Sequence, residues 1–262
     1  MIIKNKKELD ILRTGGKKLA AVLYEVAEHA KAGVSTLELD QLAEKFILKT
    51  GGIPSFKGYK IPMAPRSYPR TLCVSVNEEV VHGIPSERTL KDGDIVGLDI
   101  GMLWPSEALA KEAGYENGFF TDTALTIVVG GGKSKLVEAT KKSLEIGIKK
   151  VKAGVRIGDI GFAIQNFLEK EGYGVVRELV GHGVGRAVHE DPEIPNWGKP
   201  GTGGELVENM VIAIEPMATD GSPKVKVLPD GWTWATRDGS RSAHFEHTLI
   251  VTKSGVEVLT KI

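Results

Sequence analysis

Four acidic residues end or punctuate apolar stretches in a way that suggests chemistry. Asp94 to Gly101 reads Asp-Ile-Val-Gly-Leu-Asp-Ile-Gly, a β-branched run bounded by Asp92-Gly93 with Asp99 near its far end. Met210 to Glu215 reads Met-Val-Ile-Ala-Ile-Glu, again apolar and again closed by a carboxylate, Glu215. Asp122 and Glu246 follow the same habit in Phe120-Thr-Asp122-Thr-Ala-Leu125 and Phe245-Glu-His-Thr-Leu249. Strand alternation puts Asp99 on one face with Gly97 and Ile95, so the residue two before the carboxylate has no side chain and leaves room for something to bind. Ala213 does the same before Glu215. A lone buried carboxylate is prohibitive, and four at one place repel unless cations gather them. A pair of divalent ions bridged by carboxylates, about 3.5 to 4 Å apart, is the economical answer.

Three histidines extend the pattern. His182 lies in Gly181-His-Gly183, His189 follows in Val188-His-Glu-Asp-Pro192, and His82 sits in Val81-His-Gly-Ile-Pro85 ahead of the Asp99 stretch. A single histidine is more often a satisfied structural residue than a ligand, but four strand carboxylates at related positions tilt these three towards metal binding or proton transfer. His244 and His247 have no context beyond adjacency to Glu246 and read as structural; His29 reads as a surface helix residue. Cys73, in Leu72-Cys-Val-Ser-Val76 with no adjacent base, reads as a small hydrophobe. Two phosphate-binding patterns fail. Gly132-Lys133-Ser134 lacks the first glycine of a phosphate loop, whose place holds Ile127, and Gly181-x-Gly183-x-Gly185 lacks the final spacing of a dinucleotide fingerprint. No Gly-x-Ser-x-Gly elbow occurs either, which removes the usual serine-hydrolase reading.

The elements that must position these groups come in two sets. Leu9, Leu12, Leu19, Leu23, Val26 and Ala30 form a helical stripe, weakened at Gly15-Gly16. Ser35 with Glu38 is a capping box, opening a second helix through Leu39, Leu42 and Phe46 that ends at Gly51-Gly52. After Gly130-Gly131-Gly132 the pattern restarts with Leu136, Thr140, Leu144, Ile148 and Val151. Lys152-Ala-Gly-Val155 then repeats Lys31-Ala-Gly-Val34 at an offset of 121, and at that offset Leu39, Leu42 and Phe46 become Ile160, Ala163 and Phe167. Asp99 maps to Glu215 at an offset of 116 and Asp122 to Glu246 at 124. The spacing therefore predicts one domain over 1–262, built of two homologous halves (about 1–130 and 133–262) related by a pseudo-twofold axis, with the acids at the axis.

The composition bounds the class. At 262 residues and 41% hydrophobic the chain can bury a large core, and 34 basic against 34 acidic residues leave no net field for nucleic acid or an anionic membrane. One cysteine forbids an intrachain disulfide and suits a reducing cytosol. No signal-peptide pattern is seen at the Lys-rich start, and no run approaches the roughly 20 apolar residues of a membrane helix. A cytoplasmic location is expected, with no DNA or membrane partner and a monomeric state.

The residues carry a family resemblance across nearly the whole chain. Val76-Asn-Glu-Glu-Val-Val-His-Gly-Ile-Pro85, Lys91-Asp-Gly-Asp-Ile-Val-Gly-Leu-Asp99, Thr121-Asp-Thr123, Gly181-His-Gly-Val-Gly-Arg-Ala-Val-His-Glu-Asp-Pro192, Ile214-Glu-Pro-Met217 and Phe245-Glu-His-Thr248 are similar to segments of the type I, bacterial-type methionine aminopeptidases. The resemblance implies an α+β pita-bread fold: two pseudo-twofold-related halves around a central, mostly antiparallel, curved sheet covered by helices. It implies a dinuclear enzyme that removes the initiator methionine ahead of a small second residue through a metal-activated bridging water or hydroxide, acting on peptides and on nascent chains at the ribosome. Carried over by position, Asp99 holds one metal, Asp122 and Glu246 bridge both, and His182 with Glu215 complete the other. Glu215 doubles as general base, His189 polarises the scissile carbonyl, and His82 contacts the substrate or shuttles its proton. The oxygen-rich donor set without thiolate favours Mn, Fe or Co and admits Zn. Phe56, Tyr59, Tyr68, Cys73 and Trp232 occupy the stretches that enclose the methionine side chain.

Three departures from the pattern stand out. The segment from Leu103 to Asn117 lengthens the connection between Asp99 and Asp122, a smaller insertion from Ile61 to Arg66 separates Tyr59 from Tyr68, and Val188 replaces a bulkier aromatic before the second histidine. One or both insertions are expected to reach the rim of the site and restrict substrates. Two other readings compete: a prolidase or Xaa-Pro aminopeptidase on the same fold, and a binding module that has lost its metals. Five intact ligand positions argue against the latter.

Overall fold

The computed structural model describes residues 1–62, 64–104 and 118–262. Its four described helices are α1 (Lys6–His29), α2 (Thr36–Thr50), α3 (Lys135–Lys150) and α4 (Ile157–Lys170). Their ends follow from local chemistry. The Asn5 side chain accepts from Glu8 N to start α1, the predicted capping box joins Ser35 and Glu38 at α2, and Ser134 accepts from Val137 N at α3. Gly51, at φ 87°, closes α2 in the left-handed conformation that glycine adopts without strain. The glycine pair that weakens the stripe of α1 has a packing role: a methyl group on Gly15 would lie 2.7 Å from Trp104 Cβ, and one on Gly16 only 2.6 Å from Leu259 O.

The principal sheet has nine strands, all paired antiparallel. From one edge its order is Ile53–Pro54, Ile95–Trp104, Phe119–Val128, Glu246–Val251, Val211–Ile214, Gly181–Gly183 and Glu190–Ile194. Leu72–Val76 also pairs with Ile95–Trp104, and Val256–Val258 with Glu246–Val251. The order is symmetric about its middle. The Asp99 and Asp122 strands lie on one side, and the Glu246 strand with the strand that ends just before Glu215 lies on the other. Leu72–Val76 flanks the first pair as Gly181–Gly183 flanks the second. Within this sheet, among the described residues, two residue pairs join the halves, Glu246 with Ala124 and His247 with Thr123. Three threonines reinforce it: Thr123 Oγ1 donates to Glu246 O, Thr126 Oγ1 to His244 O, and Thr248 Oγ1 to Asp122 O.

Each helix pair covers its own apolar core. Leu12, Leu19, Leu23, Leu39, Ile47, Leu98 and Ile100 belong to the first, and Leu136, Leu144, Ile160, Ile164, Ile212 and Leu249 to the second. This is the expected α+β arrangement of paired halves around an antiparallel sheet. Of the long insertion, Leu103 and Trp104 extend the strand and pair with Phe120 and Phe119, and Lys18 Nζ lies 4.7 Å over the Trp104 ring; residues 105–117 lie outside the described residues. Among the described residues no helix is long and apolar enough to cross a membrane.

Candidate metal centre

Register brings the acids together. Cys73 pairs with Asp99, Asp99 with Ala124 and Ala124 with Glu246, so these four stand in one row across four strands. Ala124 between two carboxylates contributes only a methyl group. Asp122, two residues from Ala124, shares its face, and Ile214 pairs with His247, which brings Glu215 level with Glu246. His182 arrives from the next strand. Its glycine neighbours are sterically required: a methyl on Gly181 would press on Ile194 O at 3.1 Å, and one on Gly183 on Glu190 O at 2.9 Å.

The electrostatics ask for cations. Asp99, Asp122, Glu246 and His182 are all buried, and oxygens of Asp99 and Asp122 (Oδ1 in each) have no hydrogen-bond partner among the described residues. Burial pushes the Asp99 carboxyl up to about 7 and Glu215 up to about 8; Asp122 is driven well above the carboxylate range by burial and the charges of Asp99 and Glu215, and Glu246 by burial and the charges of Asp122, Glu215 and Asp99. His182 Nδ1 lies 2.9 Å from Gly183 O and must carry the proton there, because a carbonyl can only accept. Burial holds this imidazole neutral, down to about 3, so its Nε2 is a bare lone pair. That lone pair faces Glu215 Oε1 at 3.6 Å. Two acceptors at that distance need a proton or a cation between them. Ligand atoms of Asp122, His182 and Glu246 likewise lie within 4.8 Å of one another. One neutral imidazole, four carboxyls and orphaned buried oxygens fit divalent ions bound mainly by oxygen.

A cavity of about 230 Å³ opens above this floor. Its wall includes Phe56, Tyr59, Tyr68, Cys73 and Trp232, and His82 and His189 line it too. Tyr68 and Trp232 meet edge to face at 5.3 Å, and their polar atoms turn away: Tyr68 Oη is 2.9 Å from Gly83 O, and Trp232 Nε1 donates to Arg66 O at 2.9 Å. Asp230 accepts from Trp232 N and Thr233 N, each at 2.8 Å, a turn that fixes the indole. His189 is exposed at the rim, with Nδ1 2.7 Å from the Tyr59 hydroxyl. His82 is held at φ 58°, and burial lowers its imidazole to about 4. The shorter insertion does reach this cavity, since Ile61 lines it and Arg66 O caps the indole.

Comparison with known proteins places this geometry in a lineage. The model of metallopeptidase family M24 matches residues 10–253. The chain belongs to metallopeptidase family M24. Within family M24 it is 48% identical to methionine aminopeptidase 1 of Bacillus subtilis over 100% of both chains. Among solved structures it is similar to the methionine aminopeptidase from Thermotoga maritima, at 42% identity, a TM-score of 0.90 and full coverage of both chains. The prolidase from Pyrococcus furiosus, 22% identical with a TM-score of 0.72 over 66% of its chain, shares the fold alone. Metal use is thus a family M24 property that the donor set of this chain fits.

Sequence reasoning set one neighbour of this centre aside. His244 is 3% exposed, and its Nε2 has no hydrogen-bond partner among the described residues and lies 3.6 Å from Glu215 Oε2. Alternation from Glu246 was the available signal, since 244, 246 and 248 share a face. His247, on the opposite face, bonds Thr260 Oγ1 through Nδ1 at 3.0 Å, and His29 is exposed on α1, as read from the sequence.

Proposed function

We propose that this chain removes the N-terminal methionine from polypeptides, preferring a small second residue, by hydrolysis at a centre of two divalent ions. The observation that carries the reading is the bare His182 lone pair facing Glu215 among three further buried carboxyls, at the floor of an apolar cavity sized for one side chain. Asp99 would hold one ion, Asp122 and Glu246 would be shared, and His182 with Glu215 would hold the other; Mn, Fe, Co or Zn suits these donors. When bound, such ions act as Lewis acids and draw a water's pKa from about 15.7 towards about 7.

The chain's own groups do the rest. Glu215 accepts the proton of the attacking water. Tyr59 donates its hydroxyl hydrogen to His189 Nδ1, which leaves the other imidazole proton on Nε2, free to donate to the scissile carbonyl oxygen as charge grows there. His82, neutral through burial, handles the proton of the departing amide or of the substrate's amino group. Phe56, Tyr59, Tyr68, Cys73 and Trp232 enclose the thioether side chain and keep water from it. The Cys73 thiol, pushed up by burial, stays protonated and acts as wall rather than nucleophile. The catalytic unit spans 1–262 as two repeats, about 1–130 and 133–262, and works in the cytoplasm as a monomer on nascent chains at the ribosome.

Metal analysis of the purified protein with a peptide panel tests the reading. Methionine should be released from Met-Ala and Met-Gly peptides, with activity abolished by chelation and restored by Mn or Co. Cleavage of Xaa-Pro peptides in preference to these, or full turnover after exhaustive metal removal, would overturn it.

A further inference from the structure

We propose that His244 is a positioning residue for Glu215, donating Nε2–H to Oε2 and so aiming the other oxygen, Oε1, at the metal centre. The proposal rests on the role given to Glu215 above. Its foundation is that two imidazoles address the two oxygens of one carboxylate from different sides. On the Oε1 side His182 presents a lone pair, because its Nδ1 proton is committed to Gly183 O. That geometry calls for a cation. On the Oε2 side His244 Nε2 is buried, has no hydrogen-bond partner among the described residues, and faces the oxygen at 3.6 Å. At this distance the contact is not yet a hydrogen bond, and a shift of about half an ångström makes it one. A buried N–H left without an acceptor is costly, so the proton on Nε2 and the free oxygen satisfy one another.

The backbone holds His244 where this works. Met217 pairs with His244, two residues beyond Glu215, and Phe245 N donates to Pro216 O. Thr126 Oγ1 engages His244 on both sides, donating to its O at 2.6 Å and accepting from its N at 2.9 Å. The ring is therefore delivered by one strand pairing and a threonine hydroxyl that grips both backbone groups of His244. Asp99 and His82 also face it closely enough for their charges to be felt, so the imidazole stands beside the acid row and not behind it. Metal-binding sites commonly orient their donors through such outer hydrogen bonds, whose loss costs about 10- to 100-fold in metal affinity or activity.

Glutamine and methionine are alike in length and differ in whether they carry an N–H donor, so H244Q and H244M separate donation from packing. For each folded protein we would measure Mn affinity by calorimetry, the visible spectrum of the Co form, and kcat and KM on a Met-Ala peptide. H244Q should stay within about threefold of the parent in affinity and kcat. H244M should lose about 10- to 100-fold in both, with KM within twofold and a shifted Co spectrum. Equal values for the two variants would overturn the proposal. So would a fall of more than tenfold in H244Q, or its failure to fold, and H244Q decides the matter even if H244M does not fold. A parent protein that binds no metal and releases no methionine would instead sink the functional reading, and so the two failures are distinguishable.

Discussion

His182 illustrates how one proton fixes a residue's task. With Nδ1 committed to Gly183 O, Nε2 can only accept, and Asp99→Ala or His182→Ala should each remove a donor and abolish turnover through loss of bound metal, read by elemental analysis. His82→Ala should retain metal and slow kcat by about 10²- to 10⁴-fold, the usual range for a proton-transfer group; equal metal loss in all three would refute the division of roles. Metal affinity should also depend on pH with a definite sign. Asp99 and Glu215, raised to about 7 and about 8, must release protons to bind, whereas His182, lowered to about 3, is already neutral. Affinity for Mn should therefore climb from pH 6 to pH 8, with proton release visible as a buffer-dependent calorimetric heat; a flat profile would contradict it. The convergence of Asp99, Asp122, His182, Glu215 and Glu246 was legible because each carboxylate sits in an apolar run and His182 lies between glycines. His244 was legible only as sharing the face of Glu246; that it also approaches Glu215 depends on a strand pairing with Met217 that no local pattern announces.

At the level of elements, α2 is tied to the row of acids through Asp40. This buried carboxylate accepts from Thr71 N at 2.8 Å and Leu72 N at 3.0 Å, at the start of the strand that carries Cys73 beside Asp99. Asp40→Ala leaves two buried N–H groups without an acceptor and should cost about 3 kcal/mol in urea unfolding. Asp40→Asn keeps the accepting oxygen and should cost about 1 kcal/mol, so matching losses would refute the mechanism. The capping box and the glycine end of α2 were readable because caps are local chemistry. Gly15-Gly16 was readable only as a weak point in a stripe, since the reason for it, Trp104 and Leu259 crossing the helix, lies far along the chain. The short insertion's approach to the cavity was expected, but its contact with the indole of Trp232 depends on a turn 166 residues away.

For the molecule as a whole, the division into two sets of elements was legible because helix stripes and acid positions recur together. The seam between them was not, since it is made of scattered long-range contacts: two residue pairs and a few threonine hydroxyls in the principal sheet, and elsewhere the pairing of Glu79–Val81 with Trp234–Thr236 and backbone bonds such as Ile3 N to Asn209 O. Repelling carboxyls facing one another across this seam would make bound cations part of the fold's stability. Divalent ion at about 1,000 times Kd should stabilise the protein by about 4 kcal/mol, read as a rise in Tm that chelator reverses. A Tm indifferent to metal would argue that the acids are held apart by other means. The sheet order carries a consequence for synthesis. The strand bearing Glu246 slots between the Asp122 strand and the Glu215 strand, both of which precede it in the chain. No shorter N-terminal product, however well folded, holds the complete donor set, so a copy still being translated is inert until that strand has emerged and inserted.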